Sequence, residues 1–133
     1  MPYLLSIMTD KDTFFQTKRT LNIAGEVIDL SQPKVMGILN LTPDSFYSGS
    51  RMQSEKDVLT FAEKMLDAGA DFLDLGAYST RPGADDISAD EEAERLLPAI
   101  RNLKKEFPQA ILSIDTFRAS IAEKAVKEGA HII

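Results

Sequence analysis

The sequence predicts an α/β fold in which short buried strands alternate with amphipathic helices over residues 34–133. Three apolar runs each break abruptly into polar residues, and the breaks fall at Asn40, Gly76 and Asp115. Helical apolar spacing between the runs indicates right-handed crossovers and therefore a parallel sheet. The breaks are 36 and 39 residues apart, whereas a TIM (β/α)8 barrel uses roughly 31 residues per unit before long loops are added. We therefore predict the N-terminal half of such a barrel, with about four parallel strands and three helices.

Residues 1–33 are predicted to form an N-terminal extension that contains a β-hairpin over residues 13–30. Ala24-Gly25 supplies the turn, and residues 26–30 alternate polar with apolar side chains. Because the hairpin precedes the repeated strand and helix pattern, we interpret it as an appendage to the half barrel at 34–133.

Each repeat of the half barrel contains a strand, a loop and a helix in that order. Strands are predicted at residues 34–39, 71–75 and 110–114, and from residue 130 onward. Ser54 and Ser88 mark the starts of the first two helices, and the third helix covers about 119–128. Pro98 lies inside the second helix, where we expect a kink or a break.

The chain ends inside its fourth apolar run, so we expect a barrel truncated in strand 4. A small doubly wound sheet is the main architectural alternative. That fold would carry a glycine-rich phosphate turn after its first strand, and Asn40-Leu41-Thr42-Pro43 is not such a turn.

Composition argues against several classes of protein. The net charge of −6 disfavours a general nucleic-acid binder, which carries a basic face. No apolar run approaches the roughly 18 residues of a membrane span, and the N-terminus lacks the basic start of a signal peptide. Cysteine is absent, which excludes thiolate chemistry and fits a cytoplasmic location.

Asn40 and Asp115 are the candidate site residues at the strand ends. Because side chains alternate along a strand, Asn40 shares a face with Ile38, and Asp115 shares one with Ser113. These faces would line the barrel interior, so both polar side chains would point into the mouth, where barrel enzymes carry their sites. Asp115 can accept two parallel donors from a planar amino-heterocycle, or it can cap the third helix. Asn40 can ligate a hard cation or bind a phosphate oxygen, or it can cap its own loop.

The loop after the second parallel strand carries further polar candidates. Ser79, Thr80 and Arg81 offer two hydroxyls and a guanidinium, which can grip an anion. The alternative is an exposed loop arginine. Asp74 can influence the site indirectly, without contacting a substrate, or it can make an ordinary hydrogen bond within the sheet. His131 is the single histidine and has no nucleophile beside it in any known pattern, so we interpret it as structural.

Three segments resemble the signatures of dihydropteroate synthase, a folate-pathway family that sulfonamides inhibit. The segments are residues 37–46, 74–84 and 113–116, in the family's order. The resemblance covers nearly all of the chain after Lys34. One departure is Ala77-Tyr78, where the family usually has Gly-Glu. The resemblance implies a TIM-barrel transferase that joins 6-hydroxymethyl-7,8-dihydropterin diphosphate to p-aminobenzoate, giving dihydropteroate and diphosphate. It also implies Mg²⁺ as the cofactor and a homodimer as the full-length enzyme.

The resemblance implies a role for each matched residue. Asn40 would contact the diphosphate and its Mg²⁺, and Asp115 would hold the pterin ring. Arg81 and its loop would grip the diphosphate and help to enclose p-aminobenzoate, while Asp44 would belong to a mobile first loop. The residues implied for catalysis are Asn40, Asp44, Arg81 and Asp115. The residues implied for substrate binding are Thr42, Pro43, Ser45, Phe46, Ser79, Thr80, Arg81, Pro82 and Asp115.

The family has an Asn-Asp pair, a further Asp, a Lys and an Arg-x-His after its fourth strand, and none of these is present in this sequence. We therefore expect the isolated chain to show no measurable synthase activity. One alternative is the pterin- or methyltetrahydrofolate-binding domain of a corrinoid methyltransferase, although that enzyme has no diphosphate for the polar loops to hold. Another is a non-catalytic half barrel that self-associates through its unpaired strand edges.

Overall fold

The structure is a computed structural model that describes residues 19–42, 55–78 and 86–133. The chain divides into two compact units, residues 1–33 and residues 34–133. Within the described ranges, no helix combines the length and the apolar character that a membrane crossing requires.

The first unit contains the predicted β-hairpin. Strand β1 (Thr20–Ile23) pairs antiparallel with β2 (Glu26–Asp29). Ala24 and Gly25 both have positive φ, 52° and 88°, as a two-residue type I′ hairpin turn requires. The Gly25 amide donates to the Asn22 side chain at 3.1 Å, which closes the turn. The hairpin prediction is thus confirmed for residues 20–29, and residues 13–18 lie outside the described part of the chain.

The second unit contains a parallel sheet of three strands in the order in which the chain makes them. The strands are β3 (Met36–Asn40), β4 (Phe72–Gly76) and β5 (Ile111–Asp115). An isolated parallel bridge then joins Ser113 to Ile132, and the Ile114 amide donates to the Ile132 carbonyl at 3.0 Å. The predicted fourth strand is therefore present as a short pairing beside β5.

This order excludes the doubly wound alternative. In such sheets the strand order reverses, so that a later strand pairs beside the first strand of the sheet. Here β4 lies between β3 and β5, and the segment around Ile132 continues outward from β5. Each strand therefore follows its predecessor in one direction, as in the wall of a barrel.

Three helices connect and cover the strands. They are α1 (Glu55–Asp67), α2 (Ala89–Glu106) and α3 (Ala119–Lys127). The capping box predicted for α2 is present, because the Glu91 amide donates to Ser88 Oγ at 3.1 Å and the Ser88 amide donates to Glu91 Oε2 at 3.3 Å. Gly69 and Gly129 have φ of 96° and 106° just beyond α1 and α3, so each supplies the left-handed residue that ends a helix.

We expected a kink or a break at Pro98. Helix α2 continues across this residue, so the break was wrong, and the kink stays a prediction. Proline removes one helical hydrogen bond, which for Pro98 would have reached the Glu94 carbonyl. Burial on both sides of that position offsets the loss, since Leu96, Ile100 and Leu103 are fully buried in the core. Tertiary packing has here overridden a local preference.

The core lies between the helices and one face of the sheet. That face contributes alternate residues of the strands, all buried: Leu39, Leu73, Leu75, Leu112 and Ile114. The other face carries Met36 and Ile38, which are 41% and 49% exposed. The predicted division of the strands is confirmed, because Leu112 and Ile114 pack with the helices whereas Ile38 lies on the opposite face.

Candidate active site

The polar strand ends form one row across the sheet. Asn40 is the register partner of Gly76, and Gly76 is the register partner of Asp115. Adjacent strands are about 4.8 Å apart, so the backbones of Asn40 and Asp115 are separated by about 10 Å. We call these three residues the polar row. It lies at the carboxyl edge of the sheet, where parallel α/β folds bind their ligands.

Gly76 at the centre of the polar row is buried and has no side chain. A Cβ atom at this position would lie 3.7 Å from Asp115 Cβ and 3.8 Å from Asp115 Oδ2, which is ordinary contact distance. No side chain of β4 therefore covers this flank of the Asp115 carboxylate. Asn40 and Asp115 are both exposed, so a ligand at this edge of the sheet could reach both side chains.

Asp115 does not cap the helix that follows it. The cap of α3 is Arg118, whose side chain makes no capping hydrogen bond. The Arg118 amide instead donates to Thr116 Oγ1 at 3.2 Å. Among the described residues none donates a hydrogen bond to the Asp115 carboxylate, which leaves its oxygens available for an external donor. The structural alternative considered for Asp115 is therefore not realised.

A buried carboxylate behind the polar row was missed by the sequence analysis. Glu92 in α2 is fully buried, and its Oε1 accepts the Thr116 hydroxyl at 2.6 Å. Its Oε2 accepts the Arg118 guanidinium, which also donates to the Ile87 carbonyl at 2.7 Å. We call Glu92, Thr116 and Arg118 the Glu92 cluster. The cluster joins the start of α2 to the turn that follows Asp115.

Two aromatic rings flank Arg118. Its guanidinium carbon lies 5.1 Å from the ring centre of Tyr78 and 4.6 Å from that of Phe117. The two rings meet edge to face, with centroids 5.0 Å apart. A hydrogen bond to the Asp86 carboxylate, followed by burial, raises the pKa of Tyr78 above its usual value. The residue at which the sequence departs from the family signature thus packs on the Glu92 cluster.

The remaining predicted site residues have separate positions. Thr42 is partly buried just beyond β3, and Asp74 is partly buried in the row between Ile38 and Ser113. The predicted residues that lie outside the described part of the chain are Pro43, Asp44, Ser45, Phe46, Ser79, Thr80, Arg81 and Pro82.

His131 lies away from the polar row, beside Leu112 near the beginning of β5. Its Nδ1 accepts the Leu112 amide at 3.0 Å, and its Nε2 is 3.5 Å from Lys104 Nζ. Burial, with the nearby Lys104 charge, lowers the pKa of His131. Its contacts hold the backbone of the sheet, in agreement with the structural interpretation.

The donor set bears on the kind of metal that the site could bind. Among the described residues, no group of three or more His, Asp or Glu side chains could hold an ion. Mg²⁺ binds through only one or two protein groups when phosphate and water supply its other oxygens. The amide oxygen of Asn40 fits such a partial ligand.

Comparisons with known proteins identify the family. The family model described as "Pterin binding enzyme" matches residues 36–133. Dihydropteroate synthase from Bacillus subtilis is 50% identical over 99 residues, which are 74% of this chain and 34% of that protein. The chain therefore spans about a third of the length of that relative.

Solved structures give the same result for the fold. A Yersinia pestis dihydropteroate synthase with a sulfonamide drug matches with a TM-score of 0.76 and 42% identity, over 84% of this chain and 40% of that one. A Xanthomonas albilineans dihydropteroate synthase with 4-aminobenzoic acid matches with a TM-score of 0.74 and 38% identity, over 85% and 42%. These neighbours are TIM barrels, which confirms the half-barrel prediction. Because the family model covers the whole parallel sheet, including the polar row, the chain belongs to the pterin-binding enzyme family.

Proposed function

We propose that this chain supplies the pterin-binding part of a dihydropteroate synthase. The reaction would join 6-hydroxymethyl-7,8-dihydropterin diphosphate to p-aminobenzoate and release diphosphate. The observation that carries the proposal is the polar row, in which the exposed residues Asn40 and Asp115 flank a glycine at the carboxyl edge of the sheet. Family membership and the synthase names of the relatives support the same reaction.

Asp115 would bind the pterin ring. Its carboxylate has no donor among the described residues, and Gly76 leaves one of its flanks open. A pterin presents a ring nitrogen and an exocyclic amino group side by side, so both can donate to one carboxylate. Charge-assisted pairs of this kind are the stronger hydrogen bonds in proteins. The row would then direct the rest of the substrate toward Asn40.

Asn40 would contact the diphosphate and the Mg²⁺ bound to it. A bound Mg²⁺ would stabilise the negative charge of the leaving diphosphate. The amide group of Asn40 offers a neutral oxygen for the cation and an N–H donor for a phosphate oxygen. Its place about 10 Å across the sheet from Asp115 suits a substrate whose ring and diphosphate lie at opposite ends.

The two polar loops would complete this half of the site. Arg81, with Ser79 and Thr80, would bind the diphosphate, and Pro82 would help to enclose p-aminobenzoate. Asp44 and its neighbours Thr42, Pro43, Ser45 and Phe46 would form the first loop over the ring. By excluding water, the loops would favour attack by the arylamine nitrogen over hydrolysis.

The proposed chemistry exchanges one bond for another at the pterin methylene. The carbon–oxygen bond to diphosphate breaks and leaves a pterin-stabilised cation, and the arylamine nitrogen then forms the new carbon–nitrogen bond and loses a proton. Groups that hold the charged leaving group and the ring in place lower the barrier by preorganisation. A homodimer and inhibition by sulfonamides stay predictions of the family resemblance, and a cytoplasmic location stays a prediction from the absence of cysteine.

Binding measurements on the purified chain test the proposal without requiring turnover. Calorimetry should detect binding of 6-hydroxymethylpterin diphosphate to the chain. Asp115→Asn should weaken this binding by about tenfold to a hundredfold, since the Asn side chain can accept from only one of the two pterin donors. Asp74→Asn, a matched change one step down the same face, should leave the affinity within about twofold. Tighter binding of methyltetrahydrofolate than of the diphosphate would contradict the synthase assignment and favour a methyltransferase.

A further inference from the structure

Glu92 is held by the turn that carries Asp115. Both of its carboxylate oxygens accept hydrogen bonds, one from the Thr116 hydroxyl at 2.6 Å and one from the Arg118 guanidinium. A fully buried carboxylate is costly unless it is paired and hydrogen-bonded in this way. The three groups of the Glu92 cluster therefore depend on one another.

The Glu92 cluster connects the turn after Asp115 to the residues just before α2. Thr116 directly follows Asp115 in the chain. Arg118 reaches the start of α2, because its guanidinium donates to the Ile87 carbonyl at 2.7 Å and lies 3.8 Å from Asp86 Oδ1.

Arg118 also contacts two residues outside the cluster, Tyr78 and Asp86. Its guanidinium lies 5.1 Å from the centre of the Tyr78 ring and forms an ion pair with Asp86. Asp86 is exposed, whereas Arg118 is mostly buried, so the anchoring group is the arginine and its buried partner Glu92.

We propose that Glu92 is a positioning residue for this site. Through Thr116 it fixes the direction of Asp115, and through Arg118 it holds Tyr78 and Asp86 in place. Glu92 is fully buried, so it acts through these residues and does not contact the substrate. The inference rests on the proposed function, since it takes Asp115 as a substrate-binding group.

A matched pair of variants at Thr116 tests the first connection. Thr116→Val keeps the shape of the side chain but removes the hydroxyl, whereas Thr116→Ser keeps the hydroxyl. Glu92→Gln tests both connections together, because its amide group can accept from one of the two donors but turns an N–H toward the other. Glu92→Gln and Thr116→Val should therefore act alike, and Thr116→Ser should resemble the wild type.

Amide hydrogen exchange and NMR of the unliganded chain provide the first readout. In Glu92→Gln and Thr116→Val, exchange at residues 115–118 and 86–87 should rise by about tenfold or more, while Leu75 and Leu112 in the sheet keep their protection. The carboxyl ¹³C signal of Asp115 should shift in these two variants and stay in place in Thr116→Ser. A uniform rise across the sheet, or no change at residues 115–118, would overturn the proposal in favour of a purely structural role.

Affinity for 6-hydroxymethylpterin diphosphate provides the second readout. It should fall about tenfold in Glu92→Gln and Thr116→Val, the equivalent of one hydrogen bond of about 1.4 kcal/mol. Equal affinity in Thr116→Val and the wild type would overturn the positioning role. A wild-type chain that binds no pterin diphosphate would overturn the proposed function, and the exchange measurements would still decide whether Glu92 orders Asp115.

Discussion

At the scale of single residues, two glycines on opposite faces of the sheet have different tasks. Gly76 lies in the polar row, where a Cβ would make ordinary contacts with Asp115 at 3.7 and 3.8 Å. Gly37 lies on the helix-facing side of β3, where a Cβ would come within 2.7 Å of Met65 Sδ. The first glycine leaves room for a ligand, and the second leaves room for a helix.

Alanine at Gly76 should weaken ligand binding without weakening the fold. The new methyl group fits beside Asp115, and alanine reduces the freedom of the unfolded chain, so the free energy of unfolding should stay level or rise by up to about 1 kcal/mol. The same methyl occupies the open flank of the carboxylate, so pterin diphosphate affinity should fall about tenfold or more. Urea denaturation and calorimetry on one preparation measure both quantities.

Gly37→Ala is the matched control for that change. Its methyl must displace Met65, and overpacking of this kind costs about 1–3 kcal/mol of stability. Its pterin affinity should equal that of the wild type. A Gly76→Ala variant that binds pterin diphosphate as tightly as the wild type would show that the polar row is not the ligand site.

At the scale of the elements, periodicity predicted the position of every described strand and helix, and it also held the clue to Glu92. That residue follows Asp90 and Glu91 in an acidic first turn, which is typical of an exposed helix start. Yet it lies four residues before Leu96, on the buried face of α2. The acidic composition predicted that Glu92 is exposed, whereas its spacing from Leu96 predicted that it is buried. The residues that stabilise its buried carboxylate, Thr116 and Arg118, come from a turn that is distant in the sequence. No local pattern contains that information.

The pairing of β5 with the segment at Ile132 should depend on pH through His131. The pKa of His131 is lowered in the folded chain, so the unfolded chain binds the extra proton more readily. The contribution of neutral His131 to the free energy of unfolding is therefore fully present above the ordinary histidine pKa of about 6.5. It is lost as the pH falls from there through the lowered pKa of the folded chain. Protonation of Nδ1 would also break its hydrogen bond from the Leu112 amide.

Urea denaturation between pH 8 and pH 5 measures this effect. His131→Asn is the informative control, since its side-chain oxygen can accept from Leu112 and does not titrate in that range. The wild type should lose stability across the histidine range more steeply than the variant does. If the free energy of unfolding fell equally steeply with pH in both proteins, His131 would not contribute to the pH dependence of stability.

At the scale of the whole molecule, the sheet of the second unit is covered by helices on one face. On the other face Phe72 and Ser113 are buried, and the exposed apolar side chains belong to β3. We call this exposed surface of β3 the open face. Helices bury Leu39, Leu75 and Leu112 completely, whereas Met36 and Ile38 remain 41% and 49% exposed. Periodicity predicted this division, because alternation assigns each residue to a face before any partner is known. The roles of the loop residues could not be derived in the same way, since a site built from several strand ends depends on contacts between distant segments.

The open face should promote self-association of the purified chain. Apolar side chains such as Ile38 and Met36 gain about 25 cal/mol for each Å² that a second copy removes from water. Among the described strands, β3 also has β4 as its single neighbour, so its other edge can accept a further strand. Sedimentation and light scattering should show a mean mass that rises with concentration.

Two lysine substitutions distinguish self-association through the open face from non-specific association of other exposed apolar residues. Ile38→Lys places a charge on the open face and should return the chain to a monomer, because burial of an unpaired charge is strongly unfavourable. Val126→Lys changes a residue of similar exposure, 54%, on α3 and should self-associate like the wild type. Circular dichroism must show that both variants keep their helices. A folded wild-type chain that stays monomeric at high concentration, or an Ile38→Lys chain that associates equally, would show that this face does not mediate assembly.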